Sequence, residues 1–250
     1  MNTTTRTILA AATCATVAGA AGAANVTPDV IFGSGNANGS FTVNSILGND
    51  NIELGLRGKL RFNESNSPEN TFNYDGVDTY TFQRGAAPGG FGFDPNSPTT
   101  PVWNFEWSVN TDVGGTSGLN LADLTYNLQL DGDPNSPDVS FNGFDMIDLD
   151  VADHAIGDNT TGNGGGTVAN DATDYANLIA NNNVAQNSWS YEFFNENSDG
   201  LFLSALENFD PNEVGEYTIS LLAFDGSTPV AGTQVFINVV PMPTPLGLAS

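Results

Sequence analysis

The sequence predicts an all-β protein, an antiparallel β-sandwich of the jelly-roll or Ig-like kind with one short inserted helix. Three observations lead to this prediction. Apolar and polar residues alternate along several short segments, as they do along half-buried strands. Gly, Pro, Asp, Asn and Ser separate these segments and are typical of turns. Lysine occurs once in the 250 residues, which argues against a helix-rich cytosolic enzyme.

Residues 51–62 show the strictest alternation. The apolar positions are Ile52, Leu54, Leu56, Leu60 and Phe62, and the polar positions are Glu53, Arg57, Lys59 and Arg61. A half-buried strand is therefore predicted. Its basic side chains are expected to pair with carboxylates on neighbouring strands as exposed ion pairs. A sulfated or phosphorylated ligand is the alternative partner for this basic row.

The other segments complete the predicted sandwich. Strands are predicted at residues 40–44, 78–84, 102–111, 121–130 and 139–149, the last interrupted at Gly143. A closing hairpin is predicted from residues 216–224 and 233–240, with its turn at 225–227. The inserted helix is predicted at 168–181, because acidic residues precede a narrow apolar stripe of Tyr175, Leu178 and Ile179.

The composition limits the classes of partner. The chain has 29 acidic and 5 basic residues, a formal net charge of -24. Such a field repels polyphosphates, so nucleic acid is excluded as a partner. A high net charge also keeps an exported protein soluble, and weak binding of multivalent cations is its other natural consequence.

The N-terminus predicts export. Residues 1–24 combine Arg6, an apolar run at 8–17 and a small-residue cleavage pattern at 21–23, which are typical of a Sec signal peptide. Cys14, the only cysteine, falls inside this segment; a lipid-acceptor role for it is the alternative. We therefore expect a single domain at 25–240 without disulfides, thiolate sites or a membrane span, and a Pro-rich tail at 241–250.

Calcium is the metal that the acidic loops favour. Hard oxygens recur at alternate positions in Asp131, Asp133, Asn135 and Asp138. Calcium prefers six to eight such ligands. The loop departs from the helix-loop-helix calcium motif, because Ser136 replaces its Gly, so an ordinary Asp/Asn/Pro turn is the alternative. A second, weaker acid cluster comprises Asp145, Asp148, Asp150 and Asp153.

The aromatic residues allow two interpretations. Trp103 and Trp107 alternate with Phe105 on one predicted strand, while Phe91 and Phe93 lie in a Gly- and Pro-rich loop. Exposed aromatic rows bind sugars by stacking, and these four residues, Trp103, Trp107, Phe91 and Phe93, are the candidates. Burial of one face of each strand favours the core interpretation instead.

No catalytic residues are assigned. His154 is the only histidine, and no Gly-x-Ser-x-Gly nucleophile elbow occurs in the sequence. A lone histidine of this kind is expected to be a surface or packing residue. A glycosidase needs only two carboxylates, and the sequence offers 29 acidic residues without singling out a pair.

The C-terminus resembles the sorting tail of PEP-CTERM proteins, which are exported bacterial proteins processed by exosortases. The final predicted strand leads into Val-Pro-x-Pro at 240–243. Segments 69–73, 105–112, 182–194 and 217–226 are also similar to uncharacterised members of this group. Met242 stands where the motif has Glu, and its membrane helix and Arg cluster are absent, so the chain is either truncated or a secreted member. The resemblance implies a destination at the cell surface or in the extracellular matrix.

These expectations combine into one functional hypothesis and two alternatives. The first is a secreted or cell-surface protein with a non-enzymatic structural or adhesive role in an exopolysaccharide matrix. The second is a carbohydrate-binding module, with calcium as its only candidate cofactor. The third is an enzyme that acts on polysaccharide.

Overall fold

The protein is a two-sheet sandwich, as the sequence predicts. The structure is a computed structural model that describes residues 23–25, 40–61, 63, 69, 73–86, 99–135, 141–194, 203, 206–207 and 209–243. Within them lie eleven strands: β1 Ala23–Asn25, β2 Ser40–Val43, β3 Glu53–Leu60, β4 Thr79–Gln83, β5 Trp103–Asn110, β6 Thr125–Asp131, β7 Phe141–Phe144, β8 Ala155–Gly157, β9 Val184–Trp189, β10 Gly215–Asp225 and β11 Thr228–Val240. The described part also contains one α-helix, α1 Ala172–Asn181, and three 3-10 turns, Leu121–Asp123, Leu149–Val151 and Tyr191–Phe194.

The strands form two sheets of different character. The first sheet has the order β1-β2-β3-β5-β9-β8, and all of its neighbouring strands are antiparallel. The second sheet has the order β4-β11-β10-β6-β7. Its β4 runs parallel to β11, whereas its other pairs are antiparallel. The prediction of an all-β sandwich is thus confirmed, with one parallel pair in an otherwise antiparallel fold.

The core lies between the two sheets. Leu54, Leu56, Trp107 and Val109 of the first sheet belong to the same buried cluster as Ile237 and other residues of the second sheet. The sheets approach closely at Gly58 of β3. A Cβ atom there would lie 2.7 Å from both Ile237 Cδ1 and Tyr80 Cβ, so only glycine allows this approach.

The closing hairpin is longer than the sequence pattern indicates. Gly226 and Ser227 form the turn, with a positive φ of 59° at Gly226. The return strand starts at Thr228 rather than at residue 233 and includes Pro229. A bulge in β11 follows Pro229: Pro229 pairs with Phe224 and Ala231 with Ala223, so Val230 is the extra residue. The β4 pairing begins only at Phe236, so the missing N–H of Pro229 breaks no bond on that side.

Side-chain caps explain where the predicted boundaries were wrong. Asp171 accepts hydrogen bonds from the N–H groups of Thr173 and Asp174, so α1 begins at Ala172 instead of 168. Likewise, Asn120 and Asp123 form a capping box on a 3-10 turn, so β6 begins at Thr125.

The segment predicted as one strand at 139–149 is a strand followed by turns. After β7, the Asp145 side chain accepts a hydrogen bond from the N–H of Ile147 at 2.9 Å. Asp148 then caps the 3-10 turn Leu149–Val151 through the N–H of Asp150. Asp side chains that bond to nearby backbone favour such turns over a continuous strand.

The predicted processing segments fall mostly outside the described residues. Residues 1–22 and 244–250 are not among those described, and β1 contains Ala23 and Ala24, where the predicted signal peptide ends. In the described parts of the chain, no helix has the length and apolar character needed to cross a bilayer.

Candidate functional site

The candidate aromatic row on β5 lies in the core. Trp103 is 1% exposed and Trp107 is fully buried. Trp103 is surrounded by four rings at centroid distances of 5.0 to 6.2 Å, those of Phe82, Tyr191, Phe209 and Tyr217. Neither tryptophan therefore presents a face on which a sugar could stack, and the core interpretation of both is favoured. Phe91 and Phe93, the other candidates, lie outside the described residues.

The candidate calcium ligands act as turn formers where they are described. Asp131 is buried, and its carboxylate accepts hydrogen bonds from the N–H groups of Asp133 and Thr218. Asp133 in turn accepts from the N–H of Asn135, whose amide donates to Glu213 at 2.8 Å. Burial raises the pKa of Asp131. These contacts fit the turn alternative that the sequence left open.

A metal centre at this loop stays a prediction. Asp138, its fourth candidate ligand, is outside the described residues. Across the residues that are described, no three His, Cys, Asp or Glu side chains are grouped as a metal site would require. The second acid cluster, at 145–153, is likewise not grouped as a metal site would require.

His154 is a packing residue. Its side chain is fully buried, with its ring 5.4 Å from that of Trp107 and 5.6 Å from that of Tyr175. Nδ1 lies 2.9 Å from the carbonyl of Val151, and Nε2 lies 3.3 Å from the hydroxyl of Tyr175. Burial lowers the pKa of His154 to about 4. The imidazole is therefore neutral at pH 7 and is engaged on both nitrogens.

The basic row of β3 pairs with a carboxylate, as predicted, but the pairing is buried rather than exposed. Glu106 of β5 contacts the guanidinium of Arg57 and lies 2.6 Å from Lys59 Nζ. All three side chains are at most 1% exposed. The Phe41 ring lies 4.1 Å from the guanidinium carbon of Arg57, close enough for a cation–π contact. Burial lowers the pKa of Lys59, and the charge of Glu106 partly offsets this effect.

An open groove lies at the corner where the chain crosses between the sheets. β7 is the last strand of the second sheet and β8 the last strand of the first, and the 3-10 turn Leu149–Val151 lies between them in the chain. Two adjoining cavities of about 280 and 180 Å³ share Asp150 and Val151 as lining residues. We call the two cavities together the Asp150 groove.

Aromatic side chains line the Asp150 groove. Trp189, Phe193 and Phe194 line the larger cavity, and Phe144 lines the smaller one. Phe144, Trp189 and Phe194 pack against one another, with ring centroids 5.4 to 6.1 Å apart. Phe144 and Phe193 are half-buried, so parts of their rings face solvent. Each of the two cavities thus has at least one aromatic ring in its wall.

Carboxylates also line the groove. Asp150 and Asp153 line the larger cavity, and Asp145, Asp148 and Asp150 line the smaller one. The Asp153 carboxylate accepts hydrogen bonds from Asn187 at 2.8 Å and from the Trp189 indole N–H at 3.4 Å, which orients it. Asp150 is exposed.

Two further groups adjust the charge of the Asp150 groove. Burial raises the pKa of Asp145 to about 6, with the charge of Asp148 acting in the same direction. Asp145 is therefore only partly protonated at neutral pH. The guanidinium carbon of Arg61 lies 6.0 Å from the centroid of the Phe193 ring. Arg61 lines neither cavity and also interacts with the charge of Glu192, so the four aspartates keep the groove acidic.

The comparisons with known proteins give no assignment. No protein-family model, no curated protein and no solved structure matches this chain significantly.

Proposed function

We propose that this protein is a secreted or cell-surface β-sandwich with a non-enzymatic structural or adhesive role in an extracellular or exopolysaccharide matrix. The observation that carries the proposal is the segregation of charge in the fold. Arg57 and Lys59, two of the five basic residues, are buried against Glu106. Among the acidic residues that the structure describes, only Glu106, Asp112, Asp131 and Glu192 are buried, so the described surface is strongly acidic, on a scaffold held together by a large aromatic core.

A polyanionic surface on a stable scaffold suits a matrix component. It remains soluble during export and avoids aggregation with other acidic chains. It also gathers multivalent cations, through which acidic proteins and glycans are linked. The predicted signal peptide and the resemblance of the C-terminal tail support the same compartment. His154 supports a non-enzymatic role, because the one imidazole of the chain is engaged in packing.

Fractionation of the encoding organism tests this proposal. We expect the protein in the extracellular matrix or surface fraction, with a new N-terminus near residue 25, and we expect a deletion strain to form a matrix of lower cohesion. The full coding sequence, supplied in trans, should restore cohesion. Recovery of the uncleaved chain in the cytosol, or unaltered cohesion in the deletion strain, would contradict the proposal.

A carbohydrate-binding module is the second candidate, and the Asp150 groove is the observation that favours it. The groove combines aromatic rings with oriented carboxylates, the two groups that a sugar ring needs from a protein. Binding to a glycan is also the simplest means of adhesion to a polysaccharide matrix.

The calcium hypothesis has a separate test. If the loop at 131–138 binds calcium, the melting midpoint of the protein should rise with added CaCl₂ and fall with EDTA, because a ligand of the folded state stabilises it. MgCl₂ at the same ionic strength is the control for screening of the acidic surface. An unchanged midpoint in EDTA would remove calcium from the proposal and leave the matrix role untouched.

A further inference from the structure

We propose that the Asp150 groove is a binding site for consecutive sugar units of a glycan that carries no acidic groups, either neutral or amino-substituted. The inference rests on the proposed matrix role and assigns to it a site and a ligand class. Neither the acid cluster nor the aromatic residues alone would support it. The inference is supported because both kinds of residue line the same open groove.

The size of the groove selects a small, repeated ligand. Its larger cavity, at about 280 Å³, lies just below the roughly 300–1,000 Å³ typical of pockets that enclose a small molecule. The second cavity, at about 180 Å³, continues from it past Asp150 and Val151. Two shallow cavities in series suit adjacent rings of a chain better than one compact cofactor.

The aromatic wall selects a ligand with flat apolar faces. Phe193 lies on the wall of one cavity and Phe144 on that of the other, and both are partly exposed. The Phe144 ring is held by packing against Trp189 and Phe194, and Phe193 packs against the hydrophobic core, so both rings are ordered before a ligand binds. The C–H face of a pyranose is the apolar surface that such rings stack against.

The carboxylates select a ligand that donates hydrogen bonds. An ionised carboxylate only accepts, so the groups that meet Asp150 and Asp153 must be hydroxyls or ammonium groups. Asp153 is oriented in advance by Asn187 and Trp189. Uronic or sulfated sugars would bring negative charge to four aspartates on a chain of net charge -24 and are repelled. A basic peptide also donates, but it lacks the repeated flat face that two aromatic cavities match.

Tryptophan fluorescence of the full chain provides the readout, because Trp189 lines the groove from the edge of the core, whereas Trp103 and Trp107 line neither cavity. The probes are neutral hexose oligosaccharides, glucosamine oligosaccharides, polygalacturonate fragments and an oligolysine peptide. We expect saturable spectral changes with the neutral or the glucosamine oligosaccharides and none with polygalacturonate. If the neutral oligosaccharides bind, the hydrogen-bond donors are hydroxyls. If the glucosamine oligosaccharides bind instead, the donor is the ammonium group.

Two variants test the assignment to this groove. Asp150→Asn keeps the shape of the side chain and should weaken binding about tenfold, because one charged acceptor is lost. Asp225→Asn is its control, since Asp225 is also exposed but lines neither cavity of the groove. Phe193→Ala should also weaken binding, whereas Leu149→Ala, which truncates an exposed apolar side chain outside the groove lining, should not.

Each other outcome overturns the inference. Absence of binding by both the neutral and the glucosamine oligosaccharides would do so, as would equal binding by the Asp150 and Asp225 variants. Binding of oligolysine that exceeds sugar binding and disappears at about 1 M salt, where screening acts within about 3 Å, would show a merely electrostatic surface. The matrix role fails separately, in the fractionation experiment, and a protein found in the matrix whose groove variants behave like the native chain would disprove only this inference.

Discussion

The two faces of the first sheet are equally buried and chemically opposite. On the inner face, Leu56 of β3 lies opposite Trp107 of β5 in the hydrophobic core. One position along each strand, on the outer face, Arg57 lies opposite Glu106. None of these four side chains is measurably exposed. Strict alternation along a strand therefore separates apolar from polar residues between the two faces, but it does not establish that the polar face is exposed to solvent.

The two faces are stabilised in different ways. The inner face gains from removal of apolar surface from water, which needs no particular partner. The outer face buries polar groups that need partners, and neighbouring strands supply several of them: Glu106 joins Arg57 and Lys59, and Gln186 donates to Ser108 at 3.0 Å. Replacement of one member should therefore be far more costly on the outer face than the net value of its contacts implies.

The largest effect is expected from Glu106→Gln. This change removes the carboxylate that Arg57 and Lys59 both contact and leaves their charges buried. We expect a loss of about 3–5 kcal/mol in the free energy of unfolding, measured by urea titration. Glu216→Gln, an equal charge change at an exposed position of β10, should alter it by less than about 0.5 kcal/mol. Equal effects of the two variants would mean that the outer face is not buried in solution.

Gly58→Ala tests the inner face and should have the next largest effect. The added methyl group would meet Ile237 and Tyr80 at 2.7 Å, so the two sheets must move apart locally. Overpacking of this kind costs about 1–3 kcal/mol. Gly48→Ala is the control, because no atom lies within 4 Å of the position that its methyl group would take. A neutral Gly58→Ala variant in thermal melts would contradict the close packing of β3 on the second sheet.

Acidification should reveal the contribution of His154 to stability. This residue packs against Trp107 on the inner face. Its pKa is about 4 in the folded protein and about 6.5 when unfolded, so the unfolded chain binds its proton first as pH falls. Stability is thus lost between pH 6.5 and 4, by about 2 kcal/mol from pH 7 to pH 5. His154→Gln should be less stable than the native chain at pH 7, but its stability should fall less on acidification.

Asp145 acts with the opposite sign in the same range. Its pKa is raised to about 6 in the folded protein, so the folded chain binds this proton first and acid favours folding. Asp145→Asn should therefore make the loss of stability between pH 7 and pH 5 steeper than in the native chain. Parallel pH profiles of the native, His154 and Asp145 variants, from urea titrations at each pH, would contradict both assignments.

Much of the fold could be predicted from sequence because its longer strands alternate or end at strong turn residues. β3, β4, β5 and the closing hairpin are predicted to within a few residues at most of their boundaries. β8 and β9 could not be predicted. β9 reads VAQNSW and is buried on both faces with polar side chains, so no two-residue period is visible in it.

The Asp150 groove could not be predicted because the residues that line it are far apart in the sequence. The acid cluster at 145–153 is visible in sequence, but its aromatic partners Trp189, Phe193 and Phe194 come about 40 residues later. The pairing of Ala155 in β8 with Gln186 in β9 brings the two segments together. Conversely, Trp103 and Trp107 stand out in sequence but are buried in the core. A chemically suitable residue type indicates a site only when the register of its strand is known.

The most direct test of the difference between the two faces replaces the buried ion cluster of Arg57, Lys59 and Glu106 on the outer face. The triple variant is Arg57→Met, Lys59→Met and Glu106→Leu. It replaces all three ionic side chains with apolar side chains of similar size, so none of the three charges is left without its partner. Replacement of a complete buried ion cluster is commonly neutral or stabilising, since the desolvation of its charges is no longer required. We therefore expect the free energy of unfolding in urea to lie within about 1 kcal/mol of the native value or above it. A loss as large as that of Glu106→Gln would instead mean that the ionic contacts themselves, rather than the absence of unpaired charge, hold the outer face of the first sheet in place.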